Sequence, residues 1–561
     1  MKSRLNIGHW VLLFALAALP FAATFALPYP DERHYTDGAL QMLRDHDWLV
    51  PKTPEAGTEN WLPRFHKPPL AYWVTAASFR AFGVNPLAAR LPFLLASCGT
   101  IFLTWRLARK LTGNETTALL AAVILATHLQ FIFAATRSIP DALLVFFVTM
   151  SAFGFLRLIV FEELAAGAFW LAYGGAAGAA LSKGLLGAGI VIFAFAFVFF
   201  RERKFSALKR LVHLPSLALA TALVVAWFAY IVHRYGAAAW HMFFDDQVGG
   251  NIHGNLFAPL WRAPVFALLL AVNFLPWSLP AIEMWLRSLR EGRRAAVPQF
   301  GSATCRPSRQ FILAWCAALV VGFALGSNIS VRYLLPAAPL AAILVADLVA
   351  GAAEASLIFS ARRIFNFMLA LLLALILVAL GIHAQWNVNA VVALAVALLA
   401  TTVLTLAAGA RWWKWFSAAE GLALAWLLVF PLLFFAVNPI LLPDPCQQLA
   451  ATLRRMTVDP ATPVLFVGKP AIASGVRLFL GGKCNLIRED KLNPDHAMKF
   501  VVALVPESQA GELARRGWEL RPAATIAGAP PPRVWWRVLK SRLLPEALEQ
   551  YGGKYLLAMR N

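Results

Sequence analysis

The apolar stretch "WVLLFALAALPFAATFAL" at residues 10–27 runs directly into the charged stretch "PYPDERHYTDGALQMLRDHDWLVP" at residues 28–51. A membrane-spanning helix needs about 20 consecutive apolar residues, so the first stretch is predicted to cross a bilayer. Asp31 and Glu32 would then lie where the lipid ends and water begins. We interpret the apolar stretch as an uncleaved first span. The alternative is a cleaved signal peptide, because the segment "AATFALPYP" resembles a signal-peptide cleavage site.

The composition points to a membrane protein with many spans. The chain has 561 residues, of which 60% are hydrophobic and 14% are charged, and its mean hydropathy is +0.65. Soluble domains carry about 25% charged residues. The formal net charge is +21, but the Lys and Arg residues lie in short loops between apolar runs, where membrane topology places them. We therefore expect no nucleic-acid partner.

Thirteen membrane spans are predicted from the apolar runs. The segment 68–84 is apolar but short, and we interpret it as an interfacial helix, with a half-span as the alternative. Only "SKG" at residues 182–184 separates the fifth predicted span from the sixth. The predicted spans are 9–27, 87–108, 115–134, 139–158, 167–182, 184–200, 208–233, 262–286, 310–326, 331–350, 364–384, 390–410 and 417–438.

Basic residues orient this bundle. With a cytoplasmic N-terminus, alternate loops hold "RLARK", "RERKFSALKR", "SARR" and "RWWK", whereas the opposite loops are poor in Lys and Arg. Cytoplasmic loops are enriched in Lys and Arg, so this pattern indicates the orientation. The long loops 28–86 and 234–261 and the C-terminus are therefore predicted to be periplasmic, in the inner (plasma) membrane of a bacterium.

The composition changes near residue 440. The segment "PDPCQQLAATLRRM" is typical of an amphipathic helix, and "TPVLFVG" and "KFVVALVP" are typical of short buried strands. We predict a transmembrane domain at 1–439 and a small α/β periplasmic domain at 440–561. In an oxidising periplasm Cys446 and Cys484 could form a disulfide, and two free thiols are the alternative.

Polar and ionisable residues gather at the predicted outer ends of the spans. Such residues are costly near a bilayer and often mark function. They mix acids, bases, imidazoles and a phenol, which topology alone does not require. The set is Asp31, Glu32, His34, His66, Lys67, Arg137, Asp141, Lys183, Asp245, Asp246, His253, Arg332 and Tyr333.

Several members of this set also have structural explanations. Asp31 and Glu32 would suit the N-terminus of a helix in "DERHYTDGALQML". Lys67 could extend its charge from the bilayer surface into water. Asp141 fits the first turn of a helix that starts at Pro140. Their shared level at one membrane face favours function.

Several motifs resemble the membrane glycosyltransferases of the protein O-mannosyltransferase superfamily, and within it the lipid A aminoarabinose transferases of bacteria. "PDERHYTDGALQML" and "RFHKPPLAYW" resemble the first outer loop of these enzymes. "RSIPDALL", "SKG" and "SVRYLLPAAPLAAIL" follow in the same order as in the family. The similarity covers most of the membrane region, while the C-terminal part agrees in position only.

The resemblance implies a GT-C fold, an all-α polytopic bundle with outer juxtamembrane helices, here joined to a small C-terminal α/β domain. It implies a catalytic carboxylate at Asp31 and a contact between Lys67 and a lipid phosphate. Two positions depart from the family. His66 stands where an acid commonly helps to hold a metal, and His34 stands where an Arg is expected. Histidine is a good ligand for zinc and a poor one for magnesium.

The predicted chemistry is transfer of a sugar from a polyprenyl-phosphate donor. The anionic leaving group needs fixed cations, for which Lys67, Lys183 and Arg332 are candidates. Tyr333 and His34 would also contact the donor phosphate, and Asp141 is a second candidate catalytic carboxylate. A divalent metal ion is left open as a cofactor, with Glu32, His66 and His253 as candidate ligands. No nucleotide is expected.

The leading prediction is therefore an integral membrane glycosyltransferase that takes its sugar from polyprenyl (undecaprenyl) phosphate. Lipid A or another envelope glycan is the first choice of acceptor, and protein or polysaccharide is the second. The main rival class is a lipid or sugar transporter, although transporters tend to place ionisable residues near the bilayer midplane. A third alternative is a non-catalytic membrane scaffold.

Overall fold

The computed structural model describes residues 5–24, 29–245, 258–275, 277–278, 281–282, 305–326, 330–350, 423–424, 427, 444–456, 461–525 and 554–560. Helices dominate the N-terminal part. They are α1 Ile7–Ala22, α2 Glu32–Asp45, α3 Leu70–Phe82, α4 Pro86–Thr112, α5 Glu115–Ala126, α6 Leu129–Ala135, α7 Asp141–Ile159, α8 Ala166–Lys183, α9 Leu185–Glu202, α10 Leu214–Tyr235, α11 Ala237–Trp240, α12 Ala258–Asn273, α13 Cys305–Ala324 and α14 Ala338–Ala350. Short 3₁₀ helices cover Phe205–Leu211 and Val331–Ala337.

Every predicted span up to residue 350 overlaps a helix. Among the described residues, five helices are long and apolar enough to cross a membrane, or up to six if α5 and α6 are one span bent by 67°. The chain is thus a multi-pass membrane protein. Apart from three isolated residues, the predicted spans after residue 350 lie outside the described part, so the total of thirteen stays a prediction.

Small residues let the central helices approach closely. A Cβ atom added to Gly154 of α7 would lie 2.3 Å from the backbone nitrogen of Ala172 in α8. One added to Gly175 of α8 would lie 2.5 Å from the nitrogen of Ser151. Such contacts are typical of helix pairs in membranes, where backbones pack through small residues. The predicted break at "SKG" is a real turn, because Gly184 takes a φ of 83° between α8 and α9.

The first long loop folds onto the helix ends. It contains α2, the hairpin of β1 (Lys52–Pro54) and β2 (Trp61–Pro63), and α3. Helix α3 has 13 residues and one partly exposed face. It is too short to span the hydrocarbon core at 1.5 Å per residue, in line with the prediction of an interfacial helix over 68–84.

A five-stranded mixed sheet forms near the C-terminus, with strand order β4-β3-β5-β7-β6. β3 runs parallel to both β4 and β5, and β7 runs antiparallel to β5 and β6. We call this sheet and its helices the C-terminal unit. Its elements are α15 Pro445–Arg455, β3 Val464–Val467, α16 Pro470–Phe479, β4 Leu486–Glu489, α17 Pro494–Ala497, β5 Val502–Pro506, α18 Glu507–Arg515, β6 Glu519–Thr525 and β7 Lys554–Met559.

Both faces of this sheet are covered. Successive strand residues point to opposite faces, so Phe466 and Leu504 join one buried cluster while Leu465 and Val505 join another. The first cluster also contains residues of α2, α3 and α4, among them Leu40, which places this face of the unit against the first loop.

The sequence predictions for this region have mixed outcomes. The predicted amphipathic helix coincides with α15, and the two predicted strands coincide with β3 and β5. Cys446 and Cys484 are both free thiols, which corresponds to the alternative without a disulfide. Residues 428–443 lie outside the described part, so the domain boundary at 439/440 stays a prediction.

Candidate functional site

Asp31 lies at the N-terminus of α2, where it makes no side-chain capping bond. Asp31 and Glu32 thus do lie at a helix N-terminus, as the structural explanation requires, but the side chain of Asp31 does not bond to its own helix. Its Oδ2 instead lies 3.2 Å from Nη1 of Arg332, and its side chain is 49% exposed. Asp31 is thus a solvent-accessible carboxylate held beside a cation from a distant part of the chain.

Asp141 and Lys183 form a second ion pair close by. Asp141 is the first residue of α7 and follows Pro140, as predicted. Its Oδ1 lies 2.7 Å from Nζ of Lys183 at the end of α8, and the two side chains are 4% and 13% exposed. This placement favours a role for Asp141 in holding Lys183 over direct action on a substrate.

Lys67 belongs to the same group of charges. It precedes Pro68, whose Cγ would lie 4.0 Å from a Cβ atom added to Gly184, next to Lys183. Burial, together with nearby Lys183, lowers the pKa of Lys67 to about 8, although Asp141 and Asp31 oppose this shift. Two ammonium groups are therefore kept together in a partly buried place, as an anion site requires.

Aromatic rings complete this group. The guanidinium of Arg332 lies 5.2 Å from the ring centroid of Tyr29, and Nζ of Lys183 lies 5.9 Å from that of Tyr333. Both contacts are within cation–π range. Tyr333 also stacks on Phe323, with centroids 5.0 Å apart. We call Asp31, Lys67, Asp141, Lys183, Arg332 and Tyr333 the charge cluster.

His34 lies one turn into α2 and has a different environment. Burial, reinforced by Arg64 and Arg33, lowers the pKa of His34 far below its ordinary value. The imidazole is therefore neutral at physiological pH, and it can offer a phosphate one N–H donor but no charge. Its predicted contact with the donor phosphate stays a prediction.

Glu32 forms a buried ion pair with Arg90. Its two oxygens lie 2.7 Å from Nε and Nη2 of Arg90, and both residues are 0% exposed. The backbone N–H of Ser138 donates to Glu32 at 2.8 Å, and Nη1 of Arg90 donates to the carbonyls of Phe21 and Thr24. Burial alone would raise the pKa of Glu32, but Arg90 holds it below its ordinary value.

The predicted metal ligands do not come together around Glu32. Glu32 is enclosed by Arg90 and Ser138, so it could reach a metal only if this pair separated. His253 lies outside the described residues, and His66 lies in the first loop. Among the residues described here, no group of three or more His, Cys, Asp or Glu side chains could hold a metal ion. The described residues therefore neither confirm nor contradict a divalent metal ion as a cofactor.

Sequence reasoning missed Arg90, which joins the start of α2 to the end of α1. A signal was present, because Arg90 falls inside the apolar run "PLAARLPFLL", where an ionisable residue is a functional candidate by default. It also missed Tyr29 and the pair Arg33 and Arg64. No motif marks these three, since their part in the site depends on how the first loop folds.

The charge cluster can bind and polarise an anion beside a carboxylate. Its cations come from three places: the loop before α3, the end of α8 and the 3₁₀ helix before α14. The carboxylate of Asp31 is exposed while that of Asp141 is buried. One acid is thus free to face a substrate, while the other fixes a cation in place.

Comparison with known proteins connects this geometry to a family. Residues 66–230 match the family model of dolichyl-phosphate-mannose-protein mannosyltransferase. An uncharacterized protein of Aquifex aeolicus is 30% identical over 326 residues, which are 57% of this chain and 58% of that protein. The undecaprenyl phosphate-alpha-4-amino-4-deoxy-L-arabinose arabinosyl transferase of Pectobacterium atrosepticum is 27% identical over 347 residues, 60% of this chain. The chain spans 58% of the length of each of these two relatives.

The fold also has a solved counterpart. The crystal structure of ArnT from Cupriavidus metallidurans, bound to undecaprenyl phosphate, superposes with a TM-score of 0.67. The alignment covers 98% of both chains at 18% sequence identity, so it shows only that the two proteins share a fold. The matched family model and one of the two relatives are those of glycosyltransferases, and the fold is that of ArnT. The chain is therefore similar to membrane glycosyltransferases and shares the fold of one of them.

Proposed function

We propose that this protein transfers a sugar from a polyprenyl-phosphate donor to an acceptor outside the cytoplasm, with lipid A or another lipopolysaccharide component as the first choice of acceptor. The observation that carries this proposal is the charge cluster, in which one accessible carboxylate, Asp31, faces cations suited to a phosphate. The relatives support it, since one is an undecaprenyl phosphate-aminoarabinose transferase and the ArnT structure holds undecaprenyl phosphate.

The donor's chemistry explains the position of the cluster. A polyprenyl chain must stay in the bilayer while its phosphate stays at the surface, so the site has to lie at the ends of spans. Each charged member lies at or beside a helix end: Asp31 before α2, Lys67 before α3, Asp141 at the start of α7, Lys183 at the end of α8 and Arg332 before α14. The position of these charged residues at helix ends also disfavours the transporter alternative, which predicts charged residues near the midplane of the bilayer.

The residues would divide the reaction between them. An acceptor oxygen attacks the anomeric carbon, the bond between that carbon and the phosphate oxygen breaks, and the polyprenyl phosphate leaves with the electron pair. Lys67, Lys183 and Arg332 would stabilise the charge that develops on the leaving oxygen. Arginine can grip two phosphate oxygens at once, whereas each lysine acts as a point charge. A single displacement inverts the anomeric carbon.

The acceptor decides the task of Asp31. A hydroxyl acceptor needs a general base to become a nucleophile. A phosphate acceptor, as on lipid A, is already anionic and needs orientation instead, so Asp31 would then hold the donor sugar, for instance by its amino group. The family model that matches residues 66–230 describes protein mannosyltransferases, which keeps a protein hydroxyl as the second candidate.

The membrane orientation is part of the same proposal. We infer that the N-terminus is cytoplasmic and that the charge cluster and the C-terminal unit face the periplasm, because the basic loops lie on the other side. Cysteine substituted at exposed Glu59 of the first loop should react with a membrane-impermeant maleimide in intact cells whose outer membrane has been made permeable. Labelling only after cell lysis would contradict this orientation.

The direct test is sugar transfer by the purified protein in detergent without nucleotide. The donor would be undecaprenyl-phosphate aminoarabinose, and the acceptors would be lipid A, dephosphorylated lipid A and a Ser/Thr-containing peptide. We expect lipid A to gain the mass of one sugar and undecaprenyl phosphate to be released. Transfer only to peptide would support the second candidate. No transfer to any acceptor, with donor binding intact, would contradict the proposal.

The depressed pKa of Lys67 predicts how donor binding depends on pH. Below about pH 8 the ammonium is charged and should attract phosphate, and above it the free protein loses this charge. We therefore expect the Kd for undecaprenyl phosphate to rise by up to about tenfold per pH unit above pH 8, until the pKa of the complex is reached. Isothermal titration between pH 7 and 10 measures this, since a phosphomonoester keeps a constant charge in that range.

The matched variant is Lys67→Arg, whose guanidinium stays charged throughout this range. Its Kd for undecaprenyl phosphate should stay constant between pH 7 and 10, even if the different shape of arginine weakens binding at every pH. If the Kd of the wild-type protein changes as little with pH as that of Lys67→Arg, then Lys67 does not bind the phosphate as a titrating cation.

A further inference from the structure

A buried polar network connects α2 to the C-terminal unit. Nη1 of Arg477 in α16 lies 3.1 Å from Oδ2 of Asp37, and the hydroxyl of Ser474 donates to Oδ1 of Asp37 at 2.9 Å. The hydroxyl of Thr36 lies 2.9 Å from that of Ser474. All four side chains are buried, between 1% and 4% exposed. The membrane part and the C-terminal unit are thus joined by a polar contact that water does not reach.

The two hydroxyls have one proton each. Ser474 gives its proton to Asp37, and the Thr36 hydroxyl has both Ser474 Oγ at 2.9 Å and the carbonyl of Glu32 at 3.1 Å within reach as acceptors. Arg477 uses a second nitrogen, Nη2, to donate to the carbonyl of Leu486 in β4 at 2.8 Å. The network therefore runs from the backbone of the sheet through α16 into α2. A satisfied buried network of this kind specifies one arrangement of the parts that it joins.

Apolar packing surrounds the network. Leu40 of α2 and Phe79 of α3 share a buried cluster with Ile472 and Val476 of α16. A Cβ atom added to Gly482 would lie 2.8 Å from Cδ1 of Leu40, so the two parts pack in direct contact. Helix α2 consequently has its buried face divided between α3 and the C-terminal unit.

A second contact holds the other half of the first loop. The backbone N–H of Gly57, at the tip of the β1–β2 hairpin, donates to the carbonyl of Arg488 in β4 at 2.7 Å. Arg44 at the end of α2 donates to the carbonyl of Gly482. The loop that begins near Asp31 and ends near Lys67 is therefore attached to the C-terminal unit along its length.

We propose that the C-terminal unit positions the catalytic carboxylate, and that Asp37, Ser474 and Arg477 are the positioning residues that do so by fixing the tilt of α2. The inference rests on the proposed function, because it assigns a role within that reaction. Asp31 precedes Asp37 by six residues, about 9 Å along a helix at 1.5 Å per residue. A tilt of about 10° around Asp37 would displace Asp31 by about 1.5 Å. A misplacement of about 1 Å can cost on the order of 100-fold in rate.

The phosphate cations lie on other elements. Lys183 ends α8, and Arg332 precedes α14, so neither follows a tilt of α2. Loss of the network should therefore reduce the rate of sugar transfer without reducing the affinity for the lipid phosphate. A purely structural role would give a different result, since unfolding lowers the number of binding sites but leaves the rate per site unchanged.

The test uses Asp37→Asn and Ser474→Ala in the full-length protein. Binding sites are counted by titration with undecaprenyl phosphate, and kcat is expressed per site. We expect kcat per site to fall about 10- to 100-fold in Asp37→Asn and less in Ser474→Ala, which removes the hydroxyl's bonds to Asp37 and Thr36 but not the bond between Asp37 and Arg477. The Kd for undecaprenyl phosphate should change less than about twofold. Ser474→Ala retains the buried ion pair, so it provides a folded variant if Asp37→Asn is unstable.

Leu513→Ala is the matched control. Leu513 is fully buried in α18 on the opposite face of the sheet, so its truncation weakens the C-terminal unit without touching α2. It should keep the wild-type kcat per site. Unchanged kcat per site in Asp37→Asn and Ser474→Ala, or an equal fall in Leu513→Ala, would overturn the inference while the proposed function stands. A wild-type protein that binds donor but transfers no sugar would overturn both.

Discussion

Replacing Asp31 by Asn is expected to reduce sugar transfer by about 10² to 10⁴-fold if the acceptor is a hydroxyl. The amide keeps the size of the side chain but cannot accept a proton. It also removes the charge that faces Arg332 at 3.2 Å, so Arg332 becomes more available to phosphate. The Kd for undecaprenyl phosphate should consequently stay the same or decrease. Single-turnover transfer and equilibrium binding, measured on one preparation, separate these effects.

The size of this effect reports on the acceptor. With a phosphate acceptor Asp31 only orients the donor sugar, so the fall in kcat should be smaller and should not depend on pH. Asp45→Asn is the matched control, because Asp45 lies on the same helix but at its far end, paired with Lys52 at the surface. It should transfer sugar at the wild-type rate. An Asp31→Asn protein with wild-type kcat would remove Asp31 from the reaction.

Replacing Arg90 by Met is expected to lower the free energy of unfolding by about 3–5 kcal/mol, the largest effect on stability that the described residues predict. The substitution leaves Glu32 0% exposed and without its bidentate partner, so that Arg137, 3.8 Å away, is the remaining cation beside it. It also removes the donor to the carbonyls of Phe21 and Thr24. The change is measured as the midpoint of thermal unfolding in detergent, followed by tryptophan fluorescence.

Arg109→Met provides the comparison on the same helix. Arg109 pairs with Glu115 at 3.2 Å, but the two side chains are 60% and 50% exposed, and such surface pairs contribute about 0–1 kcal/mol. The double variant Glu32→Leu with Arg90→Met should recover part of the loss, because the buried carboxylate is removed together with its bidentate partner, although Arg137 then loses the carboxylate that lies 3.8 Å away. It should not recover all of it, since the N–H of Ser138 then lacks its acceptor. Equal midpoints for Arg90→Met and Arg109→Met would contradict this account.

Local signals in the sequence were sufficient for many elements. The apolar runs up to residue 350 all contain helices, and the Pro140 and Asp141 pair marks the start of α7 as expected. Short apolar runs bounded by Pro or Gly residues indicated β3 and β5, which are buried along almost their whole length. These features depend on residues that are neighbours in sequence, so the sequence alone can show them.

Long-range pairings were not predictable in this way. Asp31 was predicted as a catalytic carboxylate, with a place at a helix N-terminus as the structural alternative, but its pairing with Arg332, 301 residues further on, was not foreseen. Glu32 was considered as a metal ligand, but it binds Arg90 from the next long helix. A single sequence gives no information about which charges meet across the fold, and each acid has several cations with which it could pair. The position of the charge cluster at the ends of the spans was predictable, because the ends of apolar runs can be read from the sequence. Which residues of the cluster pair with each other was not predictable.

The contact between Thr36 and Ser474 joins residues 438 positions apart, which has a consequence for biogenesis. Ribosomes add about 5–20 residues per second, so roughly 20 to 90 seconds separate the synthesis of the two partners. Helix α2 leaves the translocon long before the surface that will cover Leu40 exists. The nascent chain must hold this apolar face without its partner during that interval. On the proposed orientation and function, the protein becomes competent only after the C-terminal unit has been exported, and ribosome stalling in that region should yield a membrane-inserted but inactive chain.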